Sequence, residues 1–167
     1  MTNAGWLEPD VSGLIRRLRG VASLLTIAVV CGFAGCAPKP EFHHPDQAAI
    51  QVFLNGYFDT WSRRDMEAYG ACFDPQARIL FVARDGGIVS EGTVDFLHGQ
   101  KLAHEQGGPP MTERPLEMKI QGDTKVAQAA VTWVLSKGSK DERGTDFFTL
   151  RHDAAGWKIV SLVFYAE

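Results

Sequence analysis

Between residues 50 and 61 the chain carries Ile50, Phe53, Leu54, Tyr57, Phe58 and Trp61, spaced by threes and fours. At about 100° per residue these side chains fall on one stripe of a helix. Burying a side chain of this kind stabilises a fold by roughly 1.5–3 kcal/mol, so the stripe demands a broad apolar surface to cover it. Asp59 projects away from Ile50 and is expected in solvent. Pro45-Asp46 marks the start of this helix, and Arg63-Arg64-Asp65 breaks the stripe. Asp65 is placed to cap a short second helix, Met66 to Phe73, which Asp74-Pro75 ends.

The covering surface is legible further on. Arg78 to Ala83 and Ile88 to Glu91 read as strands around the turn Asp85-Gly86-Gly87. Thr93 to Gln106 reads as a third helix anchored by Val94, Leu97 and Leu102, closed by Gly107-Gly108-Pro109-Pro110. Four strands follow: Leu116–Gln121, Val126–Ser136, Thr145–His152 and Trp157–Tyr165. Gly122-Asp123 and Asp153 to Gly156 are turns, and Lys137 to Arg143 is a charged hairpin loop. Connections this short make consecutive strands antiparallel neighbours. The expected class is α+β: a curved antiparallel sheet wrapped around the long first helix, with two further helices.

The first 35 residues do not belong to this pattern. Arg16, Arg17 and Arg19 precede an uncharged run, Val21 to Phe33. Spanning a bilayer takes about 20 apolar residues, so this run fits the apolar region of an export signal better than a membrane helix. Phe33-Ala34-Gly35-Cys36 resembles the bacterial lipobox, in which the final Cys is lipidated and becomes the first mature residue. The expected organisation is a lipoprotein signal peptide at 1–35, a lipidated tether at 36–45 and a folded domain at 46–167. The resemblance implies a lipid-anchored protein of the cell envelope. With Ala37 after Cys36, and in a source with two membranes, it implies the outer membrane facing the periplasm. Pro38, Pro40 and Pro45 suit a tether, and His43-His44 within it is read as solvated.

Export changes the charge arithmetic. The whole chain has 17 basic and 20 acidic side chains, a net of −3. Residues 1–35 take away three Arg, Glu8 and Asp10, leaving 14 basic and 18 acidic, a net of −4. A nucleic-acid binder needs a basic face, so that class is excluded. Cys31 would leave with the signal and Cys36 would carry lipid, so Cys72 alone remains and no intrachain disulfide can form. In its helical surroundings Cys72 reads as a small buried hydrophobe.

Several local patterns carry a wider resemblance. Tyr57 to Asp65 looks like a first helix and its break, and Phe73-Asp74-Pro75-Gln76-Ala77 like a helix-to-strand junction. Glu91 to Leu97 resembles a glycine entry into a third helix, and Gly156-Trp157-Lys158-Ile159-Val160 a final strand. In this order they resemble the nuclear transport factor 2-like superfamily, with its SnoaL-like polyketide cyclases and ketosteroid isomerases, over about residues 46–167. The resemblance implies a cone with an apolar pocket, and often pairing of two copies through the open sheet face, hence a homodimer. Tyr57, Trp61, Phe81, Trp133 and Phe148 are the candidate pocket wall.

Enzymes of that superfamily use a pocket carboxylate or imidazole whose pKa burial has tuned. Asp59 faces solvent and Asp65 serves as a cap. Asp123, Asp141, Glu142 and Asp153 sit in turns, His152 ends a strand, and Asp146 can face either side. His98, four residues from both Val94 and Leu102, is the one catalytic candidate. His98 and His104 are six apart and lie on different helix faces, so they make no metal pair. No phosphate-binding glycine loop and no nucleophile elbow occurs. The expectation is a membrane-tethered domain that needs no cofactor or metal and lacks evident catalytic machinery. Its partner would be an apolar small molecule or an envelope protein. The alternatives are an acid–base enzyme acting on a small hydrophobic substrate and a dimeric structural subunit.

Overall fold

The computed structural model describes residues 44–167. The expected signal peptide, the expected lipidation at Cys36 and the part of the expected tether up to His43 lie outside the described residues. The elements run in chain order as α1 (Gln47–Ser62), α2 (Met66–Ala71), β1 (Phe73–Val82), β2 (Ile88–Gly92), α3 (Thr93–Glu105), β3 (Met111–Gly122), β4 (Val126–Lys137), β5 (Lys140–Asp153) and β6 (Gly156–Ala166). Among the described residues no helix is long and apolar enough to cross a membrane.

The apolar stripe does what its spacing requires. Ile50, Leu54, Tyr57, Phe58 and Trp61 of α1 are buried against the sheet. Asp65 caps α2, its carboxylate accepting the Ala68 N–H at 3.1 Å. The six strands form one curved sheet in the order β2-β1-β6-β5-β4-β3. The β3–β6 meander is antiparallel, as short turns dictate. The sheet as a whole is mixed, however, because β1 lies parallel to β6. This corrects the all-antiparallel expectation. The chain leaves the β1–β2 hairpin through α3 and returns after four strands, so β1 meets β6 with both running the same way.

Element boundaries differ where polar residues hide strands. β1 begins at Phe73, through the stretch read as a helix end, and carries a register shift between Phe73 and Arg78. β3 begins at Met111 although Pro115 lies inside it. It is an edge strand, where a missing N–H can face away from the ladder. The Lys137–Arg143 loop shrinks to a turn at Gly138-Ser139, with Gly138 at φ +62°.

Two side chains depart from expectation by burial. His44 is only 5% exposed rather than solvated. Its Nδ1 accepts the Asp46 N–H at 3.0 Å, its Nε2–H donates to the Asp123 carbonyl, and its ring meets Trp157 edge-on at 5.4 Å. It pins the entry of the chain onto the β3–β4 turn. α3 is also rotated from its expected setting. It buries Thr93 and Phe96, while Val94 is 79% and Leu102 42% exposed.

Candidate functional site

Beside the C-terminal half of α1 lies a cavity of about 140 Å³. Helices supply Tyr57, Trp61, Tyr69, Phe96 and Gln100 to its wall; strands supply Glu113, Trp133, Leu135, Asp146, Leu162 and Phe164. Each position follows from strand parity or helix phase. Asp146 shares the inward face of β5 with Gly144, Phe148 and Leu150, all buried. Trp133 is opposite Gly144 in the β4–β5 ladder, so Asp146 is its diagonal neighbour on the same face. A Cβ on Gly144 would come within 2.2 Å of the Trp133 ring, so only glycine lets the indole lie across β5. From there the Trp133 Nε1–H donates to Asp146 Oδ1 at 2.6 Å.

Glu113 enters from β3. Its backbone is stitched to the end of α1: its N–H donates to Ser62 Oγ at 2.8 Å, and that hydroxyl donates back to its carbonyl at 3.0 Å. The wall is ordered by further hydrogen bonds. The Tyr57 and Tyr69 hydroxyls lie 2.9 Å apart, and the Trp61 Nε1–H donates to Gln100 Oε1 at 2.8 Å. Behind Trp61 the His104 ring packs at 4.4 Å between centroids, tilted by 53°. Burial and the Arg64 charge lower the His104 pKa, which disfavours the charged form of this backing imidazole.

Two carboxyls in an aromatic cavity are costly to ionise. Burial pushes Asp146 up to about 7, with the Trp133 N–H opposing the shift. Burial raises Glu113 as well, and the neighbouring Asp146 charge adds to the rise. Burial also holds Tyr57 and Tyr69 well above the ordinary tyrosine value, so both remain neutral hydroxyls. The site therefore offers protonatable carboxyls and phenols inside an aromatic box.

The structure sorts the candidate residues. Tyr57, Trp61 and Trp133 line the cavity. Phe148 stands behind the wall, edge-on to Tyr57 at 5.2 Å, and Phe81 packs on Phe164 at 5.2 Å, so both support the lining rather than form it. His98 is exposed on α3 and takes no part, because Phe96 rather than Val94 sets the buried face of that helix. Cys72 is partly buried, and burial pushes its thiol up to about 11. Among the described residues no group of His, Cys, Asp and Glu is placed to hold a metal. The two carboxyls that matter went unassigned in the sequence. Asp146 has a usable signal, its even-numbered phase with Phe148 and Leu150. Glu113 has none, because the β3 register shift between Pro115 and Glu117 reverses the parity.

A curved sheet folded over a long helix, with an aromatic cavity at their junction, is the fold that solved structures described as NTF2-like or cystatin-like share. Residues 45–165 match the family described as "Putative lumazine-binding", and the chain belongs to that family. No curated protein matches the sequence. Among solved structures, a cystatin-like-fold protein of unknown function from Nostoc punctiforme superposes with a TM-score of 0.61 at 14% identity, over 76% of this chain and 95% of its own. An NTF2-like protein of unknown function from Shewanella baltica gives 0.55 at 21% identity, over 72% and 93%. An NTF2-like protein of Streptomyces avermitilis, described as a "putative dehydratase", gives 0.60 at 13% identity, over 73% and 96%. At these identities the likeness is one of fold.

Proposed function

We propose that the domain binds one small, partly polar organic molecule in the Glu113–Asp146 cavity. The observation that carries this reading is the placement of two carboxyls in a single aromatic-walled cavity, where a folded core would otherwise put apolar side chains. The family description, which speaks of lumazine binding, supports a small-molecule ligand. Size limits the ligand: an apolar cavity of about 150 Å³ in another protein holds benzene, so one ring or its equivalent fits here. In the same reading the domain is exported and held at the cell envelope by lipid on Cys36, where it meets its ligand outside the cytoplasm.

Trp61 and Trp133 line the cavity, so binding should be visible in tryptophan emission. Among a panel of single-ring and similarly small compounds, ligands should shift that emission and raise the melting temperature. A Leu135→Trp variant that fills the cavity should lose both effects. A panel without a single binder at millimolar concentration, or binding indifferent to Leu135→Trp, would overturn the reading.

One observation favours a second reading, proton-transfer catalysis. Asp146 is pushed up to about 7, where a carboxyl can give and take a proton with comparable ease, and Glu113 faces the same space. The dehydratase description of the Streptomyces avermitilis protein is consistent with acid–base work on this fold. This reading stands if the protein transforms a bound ligand and the Asp146→Asn variant binds it without change.

A further inference from the structure

The charge inside the cavity is lopsided. Of the groups that face it, Tyr57, Tyr69, Glu113 and Asp146 can titrate, and among the described residues no Lys, Arg or His lines it. Buried carboxylates are ordinarily matched by a cationic partner, because an unpaired buried charge costs several kcal/mol. Here the protein supplies the Trp133 N–H to Asp146 and no positive charge. Much of the remaining wall is π-surface, with the indoles of Trp61 and Trp133 and the rings of Tyr57, Phe96 and Phe164 around the space, beside Leu135, Leu162 and Gln100. Aromatic faces carry negative potential and attract an ammonium group, most strongly where water is excluded.

Other ligand charges fit poorly. An anion would meet two carboxyls and no cation. A hard metal ion requires about six oxygen ligands, and the acids here number two. We propose that the cavity takes a small organic ammonium ion, its charge set between the Glu113 and Asp146 carboxyls and its alkyl groups against the indole faces. The proposal rests on the ligand-binding reading above and names the ligand class. The cavity of about 140 Å³ limits the cation to one ring or a branched group of similar bulk.

The charges balance with one proton released. A single ammonium charge is matched by one carboxylate, so one of the two acids ionises on binding while the other remains protonated and donates a hydrogen bond. Below about pH 7, where burial keeps Asp146 of the free protein protonated, binding therefore expels a proton into the buffer.

The test compares choline with its neutral carbon isostere, 3,3-dimethylbutan-1-ol, on the full chain, by calorimetry and tryptophan emission. Choline should bind at least about tenfold more tightly, as expected for a desolvated cation–π and ionic contact. Asp146→Asn should weaken choline by a similar factor and leave the isostere unaffected. Glu113→Gln serves the same purpose if the first variant folds poorly, and retained isostere binding reports an intact cavity in either. In two buffers of different ionisation enthalpy, choline but not the isostere should release a proton. Equal or tighter binding of the isostere would overturn the cationic class while leaving the small-molecule reading in place. The cationic class falls equally if choline fails to bind while neutral single-ring compounds still shift the emission. Absence of any small-molecule binding would overturn both.

Discussion

Asp146 shows how one residue joins stability to function. It is 4% exposed, hydrogen-bonded by Trp133, and carries a carboxyl raised from its ordinary 3.8 to about 7 by burial. A raised folded-state pKa means that the folded chain holds a proton which the unfolded chain has already lost. The resulting stabilisation is fully present below the unfolded value near 3.8 and is lost as pH rises through about 7. Glu113 acts in the same direction. Asp146→Asn keeps an oxygen for the Trp133 N–H and removes the titration. Its melting temperature should fall less than wild type between about pH 4 and pH 8, so the gap between the two proteins narrows or reverses on the alkaline side. Thermal melts across that range check this, and parallel profiles would mean that Asp146 titrates as an ordinary carboxylate. This residue was within reach of sequence reasoning through its phase with Phe148 and Leu150. Glu113 was not, since the inward residues of β3 are odd-numbered before the register shift and even-numbered after it.

Among the elements, α1 is the one the sequence describes best. Six large side chains at helical spacing admit one buried face, and five of them are buried on it. Leu54 is completely buried at its centre, so Leu54→Ala should cost about 2–5 kcal/mol in denaturant unfolding, the range for a core leucine that leaves a cavity. A loss below about 1 kcal/mol would show that the core collapses around the missing atoms. α3 is the opposite case. Val94, Phe96, Leu97 and Leu102 form no single stripe, so several rotations bury comparable apolar area. Packing decides among them: Phe96 reaches Tyr69, Phe73 and Phe164, and the choice turns His98 outward. The helix also carries Gln100 to the Trp61 indole, a contact 39 residues apart in sequence. The parallel β1–β6 pairing was hidden for a similar reason, since ladder partners so distant in the chain leave no local pattern.

At the scale of the whole molecule, the entry to α1 is held by a contact distant in sequence. His44 locks that entry by accepting one N–H and donating to a carbonyl 79 residues away. The proposed anchor lies on the preceding segment, at Cys36. Cys36→Ser should move the protein from the membrane to the soluble fraction on cell fractionation, because the lipid supplies the apolar contact that holds it there. Continued membrane association of that variant would refute lipid anchoring.

By itself the sequence determined the α+β class, the long helix and the strand series that must cover it, because amphipathic spacing and turn residues act over a few positions. It also determined the acidic balance of the chain and the export-like pattern of its first residues. Only the tertiary structure decided which carboxyls share a cavity, which face of α3 is buried and where β1 pairs. Those outcomes depend on strand register and on helix rotation. A shift of one residue in register reverses every side chain beyond it, and nothing local to Glu113 or His98 records which alternative the assembled core prefers.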